Sequence, residues 1–160
     1  MADSEKIRYS YQQIHELVKK MAENIAGECD RIDLIISIAT GGWIPARILR
    51  TFLPHSSELP LPLYSIGIIN YDSNDKLLSE AVIVQELPAK LDLQEKNVLL
   101  IDEVADSGGT FQKAVEYLLS KSPAKLHTAV LHLKEHSNFK PDFVGEFAGN
   151  NWIVYPWDAR

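Results

Sequence analysis

Cysteine is nearly absent from the sequence: Cys29 is the single one among 160 residues, so no disulfide can form within the chain. A reducing compartment is therefore expected. No apolar run approaches the roughly 20 residues that a membrane-spanning helix needs. No apolar stretch follows a basic start, as it would in a secretory leader. These absences favour a cytoplasmic protein without a membrane span.

Basic residues are also scarce, with 16 Lys and Arg against 22 Asp and Glu and a net charge of −6. Broad nucleic-acid binding is disfavoured, because it depends on neutralising phosphates with basic side chains. A small anionic ligand stays open, since backbone N–H groups and a metal ion can hold one phosphate on an acidic protein. The five histidines show no metal-ligand spacing, and we interpret them as surface or core residues.

The apolar pattern predicts one α/β domain over residues 1–160, a length at which roughly 70% of the unfolded surface can be buried. Ser10 and Gln13 form a capping-box pattern that opens a helix ending near Gly27. Strands are predicted at 34–38, 63–69, 81–84, 98–101, 129–133 and 152–155, with further helices near Pro45 and over 110–121. Alternating strands and helices indicate a parallel sheet flanked by helices.

The most informative segment follows the apolar strand Val98–Ile101 and reads Asp102-Glu103-Val104-Ala105-Asp106-Ser107-Gly108-Gly109-Thr110. In open α/β sheets, ligands bind beyond the carboxyl ends of the strands. The loop 107–110 can direct N–H groups at a phosphate on a helix N-terminus, and its glycines allow close approach. Adjacent carboxylates are understandable there if they hold ribose hydroxyls, with Mg²⁺ between them and a pyrophosphate. The alternative, a helix cap with a solvated acidic turn, explains three carboxylates within five positions poorly.

This segment resembles the motif of the type I phosphoribosyltransferases, acid-acid-x-x-[acid/Ala]-[Ser/Thr]-Gly-x-Thr after a hydrophobic strand. It is not a Walker loop, because the Gly-Lys-[Ser/Thr] ending is missing. The resemblance implies a site for phosphoribosyl pyrophosphate (PRPP) and Mg²⁺ as the cofactor, with Asp102 and Glu103 at the metal. The PRPP residues implied here are Asp102, Glu103, Ala105, Asp106, Ser107, Gly108, Gly109 and Thr110.

Two further segments extend the implied PRPP site. Ala39-Thr40-Gly41-Gly42 resembles the loop that binds pyrophosphate through backbone amides, here those of Thr40 and Gly41. Its alternative is a strand-to-helix turn that needs glycine. Similar enzymes often have Arg or Lys at the position of Thr40, so this chain lacks that cation. Within the polar segment 70–76, interpreted as a mobile loop, Tyr71 matches the aromatic residue of a lid, and Lys76 could supply a cation.

The C-terminal sequence Trp152-Ile153-Val154-Tyr155-Pro156-Trp157-Asp158 resembles the end of bacterial xanthine-guanine phosphoribosyltransferases. That likeness implies that Trp152 stacks on a purine beside Ile153, although two tryptophans anchoring a terminal strand is the alternative. We assign Trp157 to the core.

Two charged side chains complete the base site that the resemblance implies. Lys134 would donate to a purine 6-oxo group, unless it is an ordinary surface lysine, and this donor would select against adenine. Asp106 would lie near purine N7 and act as the catalytic residue.

Together these resemblances imply transfer of the phosphoribosyl group from PRPP to N9 of guanine, xanthine or hypoxanthine. They also imply a small C-terminal hood, mainly in 134–160, and a dimer or tetramer. A regulator that binds PRPP or a nucleotide with little turnover, or a transferase for another base, stays open.

Overall fold

The computed structural model describes residues 6–55, 58–72, 74 and 76–158. Its elements follow the chain as β1 (Lys6–Arg8), α1 (Tyr11–Glu28), β2 (Leu34–Ala39), α2 (Trp43–Phe52), β3 (Leu63–Tyr71), β4 (Leu77–Gln85), β5 (Asn97–Ala105), α3 (Gly109–Leu119), β6 (Lys125–Lys134), β7 (Phe143–Gly149) and β8 (Trp152–Val154). Over these ranges, no helix is both long enough and apolar enough to cross a membrane.

Six strands form the main sheet in the order β4-β3-β2-β5-β6-β7. All neighbours in this sheet are parallel except β3 and β4, which are antiparallel. The predicted α/β class is therefore confirmed, with one antiparallel edge strand that the prediction of a parallel sheet lacked. A parallel crossover needs a dozen or more residues, and residues 72–76 are too few to provide one.

Helices cover both faces of this sheet. Alternate residues of β5 show the division: Leu99 and Ile101 pack in the cluster formed with α1 and α2, whereas Val98 and Leu100 pack in the cluster formed with α3. Burial on both faces explains why the central strands are continuous apolar runs. The predicted capping box of Ser10 and Gln13 is present at the start of α1.

The strands β2 to β6 all extend further than their apolar patterns predicted, and the extensions of β5 and β3 reach the residues of the implied PRPP site. β5 continues through Asp102 and Glu103, and its pairing with β6 reaches Ala105 opposite Leu133. Backbone pairing persists there because it does not depend on apolar side chains. Asn70 and Tyr71, predicted to begin a mobile loop, instead belong to β3, where Tyr71 pairs with Leu77.

A second, two-stranded sheet joins the two ends of the chain, since β1 pairs with β8 in parallel. Just after β8, the Tyr155 and Trp157 rings stack at 4.7 Å, and Trp157 packs against the core, as predicted. Tyr155 Oη donates to the carbonyl of Glu103 at 2.9 Å and lies 2.8 Å from Nδ1 of the buried His132. The bond to Glu103 attaches the C-terminal segment to β5, the strand that contains the acidic pair Asp102 and Glu103.

Candidate active site

A cavity of about 400 Å³ lies at the carboxyl ends of β2, β3 and β5. It brings together ten of the sequence-predicted PRPP residues: Thr40, Gly41, Tyr71, Asp102, Glu103, Ala105, Asp106, Ser107, Gly108 and Thr110. The eleventh, Gly109, is the first residue of α3. Segments separated by some 70 positions in the chain therefore meet around one space, at the edge of the sheet where α/β proteins bind ligands.

The loop between β5 and α3 has the geometry of an anion cradle. Gly108 has φ 94°, in the left-handed region, and a Cβ there would lie 2.7 Å from the backbone N of Phe139. Both the backbone conformation and the close approach therefore require glycine. Gly108 caps α3 without a side-chain hydrogen bond, and the first N–H groups of a helix, which have no partner within it, favour a negative charge.

The acidic pair, Asp102 and Glu103, lies in the same cavity, where the environment disfavours the ionised form of Asp102. Asp102 is buried, and its Oδ1 accepts the backbone N–H of Glu103 at 2.8 Å. Burial raises the pKa of Asp102 well above its ordinary value, and the neighbouring charge of Glu103 raises it further. A bound cation or hydroxyl donors would offset both effects, because each favours the ionised carboxylate.

The loop before α2 approaches the acidic pair closely, and the peptide bond between Ala39 and Thr40 is cis. A Cβ on Gly41 would overlap the carboxylate of Glu103, so this position of the Glu103 side chain depends on glycine at residue 41. Thr40 is exposed to the cavity and has no positive charge to offer there.

Lys134 and Asp106 lie near each other on neighbouring segments. Lys134 is buried at the end of β6, where burial lowers its pKa and the charge of Asp106 opposes that shift. Asp106 is half-exposed in the loop after β5, and its Oδ1 accepts a 2.6 Å hydrogen bond from His136 Nε2.

Sequence reasoning placed His136 among ordinary surface or core histidines and so missed this contact. Its place two residues after Lys134, beyond the carboxyl end of β6, is the signal that could have found it.

Trp152 and Ile153 do not line the cavity of the acidic pair. They border a separate one with Lys6, Arg8, Val154, Trp157 and Asp158. Trp152 is 63% exposed, which leaves its ring available to a ligand. It lies two residues beyond Asn150, whose side chain contacts His136. Trp152 is therefore close in sequence to a residue of the Asp106 region, but its ring does not line the cavity that contains Asp106.

A family model and curated relatives indicate the same protein family. The phosphoribosyl transferase domain model matches residues 10–159. A hypoxanthine-guanine phosphoribosyltransferase of Schizosaccharomyces pombe is 31% identical, covering 99% of this chain and 91% of its own. A xanthine-guanine phosphoribosyltransferase of Desulfotalea psychrophila is 32% identical, covering 100% and 92%.

Among solved structures, a hypothetical protein from Neisseria gonorrhoeae with bound ppGpp superposes with a TM-score of 0.84. It is 36% identical and covers 99% of this chain and 92% of its own.

Proposed function

Because the chain belongs to the phosphoribosyltransferase family, we propose that it transfers the 5-phosphoribosyl group of PRPP to N9 of a 6-oxopurine. The products are the nucleoside monophosphate and pyrophosphate, a reaction of purine salvage. The relatives named for hypoxanthine-guanine and xanthine-guanine transfer support this choice of base. The observation that carries the proposal is the single cavity that joins the acidic pair, the Gly41 loop and the cradle before α3.

The PRPP would lie across this cavity. Its 5-phosphate would occupy the cradle of Ser107 to Thr110, where backbone N–H groups complement its charge. Its ribose hydroxyls would bind the acidic pair, and its pyrophosphate would meet the amides of Thr40 and Gly41. Tyr71, which is 47% exposed and lines the cavity, would cover the sugar.

Mg²⁺ fits the donor set of the acidic pair, because it prefers carboxylate oxygens and usually keeps water or substrate oxygens as further ligands. Within the described ranges, no group of three or more His, Cys, Asp or Glu side chains is arranged to hold a metal. The substrate pyrophosphate would therefore supply oxygens beside Asp102 and Glu103. The ion would neutralise the leaving pyrophosphate.

The base would lie between Lys134 and Trp152, in a hood formed mainly by residues 134–160. The Lys134 ammonium would donate to the 6-oxo group, while Trp152 and Ile153 would contact the ring faces. As N9 forms its bond to ribose C1, the bond from C1 to the pyrophosphate oxygen breaks and C1 is inverted. Asp106 would accept the proton released from N7.

Measuring pyrophosphate release from PRPP with each base separately tests this function. Guanine, xanthine or hypoxanthine should support turnover, and adenine, uracil and orotate should not. Turnover with a pyrimidine and with no purine would contradict the proposed 6-oxopurine substrate and indicate a transferase for another base. The same assay ranks the three oxopurines.

Replacing Lys134 by Gln should lower kcat/KM for 6-oxopurines and relax discrimination against adenine. A neutral amide can donate or accept, whereas an ammonium only donates. Losing a charge-assisted hydrogen bond should cost about ten- to a hundredfold. The guanine-to-adenine ratio of kcat/KM measures this directly, and an unaltered ratio would remove Lys134 from base selection.

The paired variants Gly41→Ala and Gly42→Ala should separate function from folding. The new methyl on Gly41 would meet the flexible carboxylate of Glu103. It should displace that group and weaken PRPP binding about tenfold or more, as a misplaced binding group does. A methyl on Gly42 would lie 2.7 Å from the Ile38 carbonyl and 2.8 Å from that of Ile101, so backbone must move. Overpacking of this kind costs about 1–3 kcal/mol of stability.

Thermal unfolding and PRPP titration of both glycine variants distinguish these effects. Equal destabilisation by the two substitutions, with PRPP binding intact for Gly41→Ala, would contradict the placement of the pyrophosphate at this loop.

A second candidate, a nucleotide-binding regulator with little turnover, is favoured by one finding. The Neisseria gonorrhoeae structure, 36% identical, has ppGpp bound, a nucleotide that combines a guanine with pyrophosphate groups. The absence of a cation at Thr40 is consistent with weak PRPP use. Tight ppGpp binding without pyrophosphate release from PRPP and any oxopurine would support this candidate.

We further propose that the protein works in the cytoplasm as a homo-oligomer, a dimer or tetramer, whose ligands are PRPP and a purine rather than nucleic acid. The net charge of −6 supports the exclusion of nucleic acid.

A further inference from the structure

His136 bridges two segments that the proposed reaction uses. Its Nε2 lies 2.6 Å from Asp106 Oδ1, and its Nδ1 lies 2.9 Å from Asn150 Oδ1. Asn150 in turn donates from Nδ2 to Glu135 Oε2 at 3.2 Å. A chain of side chains therefore runs from Glu135 through Asn150 and His136 to the carboxylate proposed to take the base proton.

The direction of each bond in this chain can be assigned from donor chemistry. An ionised Glu135 only accepts, so the Asn150 amide must present its NH₂ to Glu135 and its oxygen to His136. The His136 Nδ1 must then have a proton to donate. On the other side, Nε2 faces a carboxylate, so both ring nitrogens donate together when the imidazole is doubly protonated.

The electrostatics agree with this assignment. The hydrogen bond to Asn150 raises the pKa of His136, and the hydrogen bond and charge of Asp106 raise it further, while burial and the charge of Lys134 oppose them. The groups that face His136 are thus Asp106, Lys134, Asn150 and, through Asn150, Glu135. The cationic ring is stabilised next to Asp106 because two acceptors surround it.

The segment that holds His136 is fixed against the cradle. Asn138 N donates to the Ser107 carbonyl at 3.1 Å, and the Phe139 and Phe111 rings stack at 4.9 Å. His136 is therefore carried by a connection that is anchored on the loop containing Asp106 itself. The fold itself therefore holds His136 next to Asp106.

We propose that His136 is a positioning residue of the transfer reaction: it holds Asp106 Oδ1, so that Oδ2, which makes no hydrogen bond to the described residues, is directed to the base proton. This inference rests on the proposed function, since Asp106 must act on a base. A fixed carboxylate does not have to be reoriented in each turnover, which is the source of its rate advantage.

The kinetic test compares His136→Leu, His136→Gln and the control His15→Leu. Leu removes the donor and should lower kcat about tenfold, while KM for PRPP stays close to that of the wild type. Gln retains an N–H donor without titrating, so it should recover most of the lost kcat and remove the pH dependence of kcat that comes from titration of the imidazole. His15 is an exposed histidine on α1, and its replacement should alter neither parameter.

A double-mutant cycle tests the route of the effect. In an Asp106→Asn background, His136→Leu should have little further effect on kcat, because the group it positions is already lost. Additive losses would show that His136 acts elsewhere and would overturn the proposal. So would an unaltered kcat in His136→Leu.

NMR titration of the imidazole separates failure of this inference from failure of the proposed function. The His136 pKa should lie above the ordinary value of about 6.5 in the wild type and fall in both Asp106→Asn and Asn150→Ala. If this pattern holds in a protein with no purine transfer activity, the contact is real and the proposed function is wrong. If the pKa is not sensitive to Asp106, the positioning contact does not exist in solution, whatever the activity.

Discussion

Asp106→Asn should lower kcat for purine transfer by about 10²–10⁴-fold, the range for loss of a positioned general base. An amide cannot take the base proton, but it occupies nearly the same volume. Asp106 is 49% exposed at its side chain, so the substitution should alter the free energy of unfolding by no more than about 0.5 kcal/mol. PRPP binding should remain near normal.

Saturating PRPP and guanine, with pyrophosphate release as the readout, measure this effect on kcat. Single-turnover kinetics keep a slow product release from masking a slower chemical step. An unaltered rate of the chemical step would show that Asp106 is not the proton acceptor. Another group of the cavity would then have to accept the proton.

Asp102→Asn should raise stability and weaken PRPP binding in the same molecule. Asp102 is buried beside Glu103, and both burial and that charge disfavour its ionised form. A neutral amide avoids this cost and can still accept the N–H of Glu103. We expect a gain of about 1–2 kcal/mol in the free energy of unfolding at pH 7, typical of a stabilising substitution. Loss of a charged contact to the ribose should weaken PRPP about ten- to a hundredfold.

The stability gain should depend on pH in a defined direction. The pKa of Asp102 is raised in the folded state, so the wild-type protein binds this proton more tightly when folded than when unfolded. Its contribution to stability is full below the unfolded pKa of about 3.9, and it is lost as the pH rises through the folded pKa. The difference between Asp102→Asn and the wild type should therefore be small near pH 4 and grow towards neutrality.

Urea unfolding at several pH values, without PRPP, measures this difference. Asp106→Asn is the matched control, because it removes a carboxylate from the same cavity at an exposed position. A stability gain of equal size in both variants, or one independent of pH, would contradict the role assigned to burial at Asp102.

Much of the cavity was predictable because its parts are local in sequence. The acidic pair, the loop 107–110 and the start of α3 are consecutive, so a strand, a glycine turn and a helix N-terminus can be inferred from neighbouring residues. The Gly41 loop follows the same strand-to-turn pattern after β2. Alternation of apolar strands with amphipathic helices was sufficient to infer a parallel sheet, whose carboxyl edge brings both loops together.

The sequence by itself therefore determined the α/β class, the central strands and the two glycine-containing segments that line the cavity, because these depend on periodicity and short-range turn chemistry. Tertiary structure decided three other features. They are the pairing of β1 with β8, the antiparallel edge strand β4, and the contact of His136 with Asp106. β1 and β8 are distant in the chain, and so are His136 and Asp106. Each of these contacts depends on how strands and connections pack in three dimensions. No local pattern records that packing, so a histidine that reads as an ordinary surface residue in sequence lies against the carboxylate of the candidate site.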